Sequence, residues 1–239
     1  MWGQWPQQHP ISALFGVLIA LTLVLSPAGA AANEEAIVNA EFNPLAELGR
    51  ERRRQVQVRQ SLKGALEQAE PGDDALAALL EACADYLVNS MGRLDLTDMN
   101  IHDLLKERVP TDNAEVHEAL QTLANRQERA RAENARLAGE LDAYRQADRV
   151  DFAVLDEALR HYHAVMSDLM TPRKNPFSDY TDVLFTMDDW TNIAEVSAES
   201  IADEDRLFEA VSATAPDALK PGTFSGTHGI QRPDASVNH

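Results

Sequence analysis

Residues 116–144 read VHEALQTLANRQERARAENARLAGELDAY, and this stretch decides the fold class. Val116, Leu120, Leu123, Gln127, Ala130, Asn134, Leu137, Leu141 and Tyr144 recur at steps of three and four. Such steps place them all on one helical face and leave the Glu- and Arg-rich positions on the other. Gln127 and Asn134 are polar residues inside that seam. Polar seam residues fix the register between neighbouring helices at some cost in stability.

Working outward, Val109-Pro110-Thr111-Asp112 reads as a tight connection, and Asp112 with Glu115 has the spacing of a capping box. Before it, a helix runs from about Asp74 to Arg108 with the stripe Leu76, Leu80, Cys83, Leu87, Met91, Leu94, Asp98, Ile101 and Leu105. Asp98 stands where an apolar residue is expected. Pro71-Gly72-Asp73-Asp74 is a helix stop followed by an N-cap. An earlier helix covers 44–70, with Pro44 at its start and Arg50, Arg52, Arg53, Arg54, Arg59 and Lys63 along it. That basic face is read either as solvated or as docking onto an acidic partner or onto the acidic body of the chain itself.

After the seam helix, residues 151–170 form another, with Leu155, Leu159, Tyr162, Met166 and Leu169 inward. Thr171-Pro172 ends it. The stretch 172–185 carries two prolines and stays unassigned, with Phe177, Tyr180 and Phe185 as packing anchors. A last helix begins near Met187 and continues through Trp190, Ile193, Val196, Ile201, Leu207, Phe208 and Val211, with a break or restart near Ser197. No segment alternates like a strand. The expected fold is therefore all-α: an up-down helical bundle of four main helices plus an N-terminal helix.

The ends of the chain read differently. Ile11 to Ser26 is a continuous apolar run, followed by Pro27 and the small residues Ala28-Gly29-Ala30-Ala31-Ala32. That order suits a cleaved secretory signal, although Met1 to Pro10 contains no Lys or Arg. An uncleaved single-pass anchor is the alternative. The expectation is an exported protein, periplasmic or secreted, touching a membrane only through an uncleaved leader. The division that follows is 1–32 leader, 33–72 acidic linker and N-terminal helix, 73–212 bundle and 213–239 disordered tail. The tail turns to Gly, Pro, Ser and Thr after Pro216.

Charge narrows the partners. The formal net charge is -18, from 39 acidic against 21 basic residues. Such a surface repels a nucleic-acid duplex, so nucleic acid is excluded as a partner and a protein partner is retained. The single cysteine, Cys83, rules out an intramolecular disulfide framework.

No histidine has Glu three residues before it, so the ferritin-type carboxylate pattern is absent, as are Gly-rich phosphate loops and nucleophile elbows. One polar constellation stands out. Asp95, Asp98 and His102 share a face of one helix. With a turn at 108–111, levels across the hairpin put His102 opposite His117 and Asp98 opposite Gln121. Asp98, His102 and His117 then form a candidate metal site suited to iron, zinc or manganese. The plainer reading is an Asp98–His102 hydrogen bond with His117 solvated. His161 and Glu157 form an i, i+4 pair, and His161 reads as a satisfied buried histidine. Glu195, Glu199 and Asp203 line one face of the last helix, as a ligand row or as a solvated acidic face.

Three stretches carry a family likeness. They are Tyr86-Leu87-Val88-Asn89-Ser90-Met91 through Asn100-Ile101-His102-Asp103-Leu104-Leu105, then Leu184-Phe185-Thr186-Met187-Asp188-Asp189-Trp190-Thr191-Asn192-Ile193, and Ala202-Asp203-Glu204-Asp205-Arg206-Leu207-Phe208. Together they resemble the hemerythrin-like (HHE cation-binding) family over roughly residues 75–212. The resemblance implies a four-helix bundle holding non-haem iron for oxygen, nitric oxide or redox sensing. His102, and after it His117, would carry over as ligands. Where the family places His and paired Glu, this chain reads Met170-Thr171-Pro172-Arg173-Lys174-Asn175, and Arg and Lys do not ligate cations. The expectation is a bundle of this type with a degenerate metal site and a structural or partner-binding role. An iron-binding sensor is the alternative, and an enzyme ranks behind both because no nucleophile–base pair is readable.

Overall fold

The structure is a computed structural model and describes residues 43–110, 112–170, 178–194 and 197–223. The leader 1–32, Glu195 and Val196 lie outside the described residues. Among those described, the chain is all-helical, with no strand. Its helices are α1 (Pro44–Gln68), α2 (Ala77–Arg108), α3 (Ala114–Gln146), α4 (Phe152–Leu169), α5 (Ser178–Leu184), α6 (Met187–Ala194) and α7 (Ala198–Thr214). Single 3₁₀ turns cover Asp74–Leu76 and Asp217–Leu219. None of the described helices is long and apolar enough to cross a membrane.

Local chemistry sets the helix limits. Asn43 caps α1, its side chain accepting from the Ala46 amide at 3.2 Å, with Pro44 in the first position, where a missing N–H costs nothing. At the other end, Arg160 of α4 donates to the carbonyls of Leu66 (2.9 Å) and Ala69 (3.0 Å). A guanidinium there satisfies terminal carbonyls and suits the negative end of the dipole. The turn that follows holds Gly72 at φ +82, a conformation that favours glycine. Its amide donates to Asp156 of α4 at 2.9 Å. α3 is capped by Asn113, which accepts from the Val116 amide at 3.2 Å, one residue later than the expected Asp112 box. Ser197 and Ser200 form a reciprocal capping box that starts α7, which is the physical cause of the break expected near Ser197.

Helix direction follows from the cross-links. Arg131 reaches Asp95 and Arg145 reaches Glu81, so α3 runs antiparallel to α2. Arg136 meets the Ala158 carbonyl and His161 lies 3.5 Å from Glu133, so α4 returns antiparallel to α3. Glu51 pairs with Arg93 and Arg52 with Asp98, setting α1 along α2. α2 is the central element and packs against α1, α3, α4, α5, α6 and α7.

Two apolar clusters fill the interior. The larger contains Val58, Leu62, Leu80, Cys83, Leu87, Leu137, Leu155, Leu159, Tyr162, Leu207, Val211 and Leu219, among others. The smaller contains Leu48, Ile101, Leu105, Val109, Val116, Leu120, Trp190 and Ile193 at the α2–α3 turn end. Burying a side chain of this size contributes about 1.5–3 kcal/mol. The seam of α3 holds in both clusters: Val116, Leu120, Leu137, Leu141 and Tyr144 are buried. Asn134 donates to the Val88 carbonyl at 3.0 Å, a bond that pins the α2–α3 register.

Two expectations change. The stretch 172–185 contains a helix, α5, whose Tyr180 hydroxyl accepts from Asn113 Nδ2 at 2.7 Å. The segment after Pro216 does not leave the body at once: Leu219 is 0% exposed and joins the larger cluster, because one 3₁₀ turn folds it back. The rest of the expected tail, from 224 on, lies outside the described residues.

Candidate functional site

Between the two apolar clusters lies a layer of buried charge. It begins with the basic face of α1. Residues 50 and 54 are one turn apart, and both guanidinium groups reach α7. Arg50 donates to Asp205 at 2.6 Å and lies 3.3 Å from Glu204, and Arg54 bonds both Glu204 and Asp205. Glu204 is only 2% exposed. Its other oxygen accepts from the Tyr86 hydroxyl of α2 at 2.7 Å. Arg54 also stacks over the Phe208 ring, 4.6 Å from its centre. The sequence offered two readings of this face, and the one in which it docks onto the chain's own acidic body holds for Arg50, Arg52 and Arg54.

A second pair completes the layer. Glu51 accepts from Arg93 Nε at 2.9 Å. Burial pushes the Glu51 carboxyl above its ordinary value, and the Glu204 charge adds to this while Arg93 opposes it. Burial and the bond to Glu204 raise the Tyr86 phenol, which stays protonated as a donor. Asp205 is held below the usual carboxylate range by its bonds to Arg54 and Arg50. Unpaired, such buried charges would cost several kcal/mol, so the layer persists because each carboxylate faces a guanidinium.

A cleft of about 80 Å³ opens beside the layer, between α1, α2, α6 and α7. Glu47, Arg50, Glu51, Arg93, Thr97, Ser200 and Glu204 form its polar wall, and Leu96, Ile193, Ala194 and Ile201 form the apolar one. Sequence reasoning missed this site. The only hint was the spacing of arginines on α1, because their partners stand about 150 positions later.

The residues expected to bind metal are placed elsewhere and separately. Asp98 pairs with Arg52 at 2.6 Å, so its carboxylate faces α1. That pair accounts for an acid in an otherwise apolar stripe. His102 Nδ1 lies 3.2 Å from its neighbour Asp103, not from Asp98. His117 Nε2 lies 3.2 Å from the Pro110 carbonyl. The hairpin register also differs from the expected one. His102 shares a groove with Ala124 and Gln127, about two turns beyond His117 on α3. Arg131 stands against Asp95 and Arg145 against Glu81, which puts Ala124 rather than His117 level with His102. Among the described residues, no group of three or more His, Cys, Asp or Glu side chains is placed to hold a metal ion.

The remaining candidates are equally local. His161 is exposed, not buried as expected, and lies beside Glu133 rather than Glu157. Glu199 and Asp203 are exposed on α7. Cys83 is fully buried, and burial raises its thiol well above the ordinary value. Neither a family model nor a curated protein nor a solved structure matches the chain.

Proposed function

We propose that this chain is an exported helical bundle of the hemerythrin-like type, with a degenerate metal site and a structural or partner-binding role. One observation carries the reading. Two carboxylates of the charged layer, Glu51 and Glu204, are held by Arg93, Arg54 and Arg50. A guanidinium beside a carboxylate supplies the positive charge that a bound cation would otherwise provide. Asp98, the acid of the expected ligand set, is engaged in the same way by Arg52.

The partner is a protein with a basic surface. Arginines turned inward leave acids in excess outside, and Asp103, Glu107, Asp112, Glu115 and Glu118 are exposed around the α2–α3 turn. Association with such a partner weakens as salt rises.

Metal content and the visible spectrum of the purified chain, prepared without chelators or a histidine tag, test the proposal. A folded, colourless protein with no stoichiometric metal is the expected result. Near-stoichiometric iron that disappears in His102→Ala would overturn it and restore the sensor reading.

A further inference from the structure

The 80 Å³ cleft beside the charged layer is small but chemically complete. At about 10–15 Å³ per water-sized site, it holds a ligand of roughly five to eight non-hydrogen atoms. Its polar wall presents both signs of charge with hydrogen-bonding capacity unused. Glu51 accepts from Arg93 through Oε1, and among the described residues Glu51 Oε2 has no partner. Arg93 Nη2 lies 2.7 Å from that same Oε1, but it is buried without a well-aligned hydrogen bond. Arg50 uses Nε on Glu47 at 2.8 Å and Nη1 on Asp205 at 2.6 Å, which leaves Nη2 without a bond among the described residues. Opposite stand Leu96, Ile193 and Ile201.

We propose that this cleft binds a small α-amino acid. Its carboxylate would meet Arg50 Nη2 and Arg93 Nη1, which hold no hydrogen bond to a described residue. Its ammonium would meet Glu51 Oε2, and a short side chain would lie against the apolar wall. A ligand of one charge satisfies half of this wall and leaves the other half unanswered. A zwitterion carries no net charge, so the field of a chain at -18 does not repel it. Among the described residues no aromatic side chain lines the cleft, so a quaternary ammonium lacks the cage it needs and a primary ammonium is the fitting group.

Calorimetric titration of the full chain with L-alanine and L-serine tests this. Propionate, ethylammonium and glycine betaine serve as the one-charge and quaternary controls. Both amino acids are expected to bind, and the controls to bind at least about tenfold more weakly. Glu51→Gln should remove binding. Because that residue belongs to the charged layer, Leu96→Trp is the second variant: Leu96 is 55% exposed on the rim and in no ion pair, so the indole fills the cleft and leaves the layer intact. Leu96→Trp is expected to lose binding with its melting temperature unchanged. Dissociation constants weaker than about 10 mM for both amino acids would overturn the proposal. So would controls binding as tightly as the amino acids, or undiminished binding in Leu96→Trp.

Discussion

The two apolar clusters are closed by different means. The larger one draws on the second half of α1, the first half of α2, the second half of α3, all of α4, α7 and the turn at Asp217–Leu219. Its residues interlock from long helices, so no piece leaves without opening the rest. The smaller one, around Trp190, is roofed by the short helices α5 and α6. Polar clasps hold that roof down: Arg108 grips Asp189 with two bonds of 2.7 Å and donates to the Leu184 carbonyl, and Asn113 holds Tyr180. An end with few long-range apolar contacts opens at lower free energy than a fully interlocked core. The turn end is therefore expected to open first, with the charged layer as the boundary at which opening stops.

Removing that boundary should have the largest effect. Glu204→Ala leaves Arg50, Arg54 and Tyr86 without their shared buried acceptor and is expected to cost about 3–5 kcal/mol, read from urea unfolding. A loss below about 1 kcal/mol would show that the layer does not join the clusters. Next comes the large core itself. Leu87→Ala should cost about 2–5 kcal/mol and raise hydrogen exchange across every long helix. Trp190→Ala should instead raise exchange in α5, α6 and the adjoining ends of α2 and α3, while α4 keeps its protection. If α4 exchanges equally fast in both variants, the two ends are one cooperative unit and the contrast fails.

Acid sharpens the contrast further. Bonds from Arg108, and from the amide and hydroxyl of Thr186, hold the Asp189 carboxyl far below its ordinary value. A carboxyl depressed in the folded state adds stability above its unfolded value, about 3.9, and loses it as pH falls toward the folded one. Fluorescence of Trp190, isolated by replacing Trp2 and Trp5 with Phe, should thus stay constant down to about pH 4 and change below it. Arg108→Ala should move that change to higher pH. The smallest effect is expected at Val183, 81% exposed on α5, where Val183→Ser should alter stability by no more than about 0.5 kcal/mol.

What the sequence disclosed followed the range of the interaction. The limits of α2, α3 and α4 were readable to within a few residues, because periodicity and caps act over three or four positions. The restart at Ser197 was readable for the same reason. α5 was hidden by its short length and by the two prolines before it. Leu219 looked like tail because the turn that buries it is three residues long. The charged layer was the least legible part. Arg54 and Glu204 stand 150 positions apart, and no local spacing signals that they meet. The supposed ligand set failed through register: Arg131 stands against Asp95, so His102 lies level with Ala124, about two turns from His117.

The same separation in sequence has a consequence for synthesis. A nascent chain presents the arginines of α1 long before residues 204 and 205 exist, so Arg50 and Arg54 spend most of translation without their α7 carboxylates. Over that interval the growing chain carries two arginines on α1 without their α7 partners, in a protein whose finished form is strongly acidic. Completion of α7 is thus the event that neutralises Arg50 and Arg54. A chain cut short before Glu204 would keep an exposed basic face open to any anionic surface nearby.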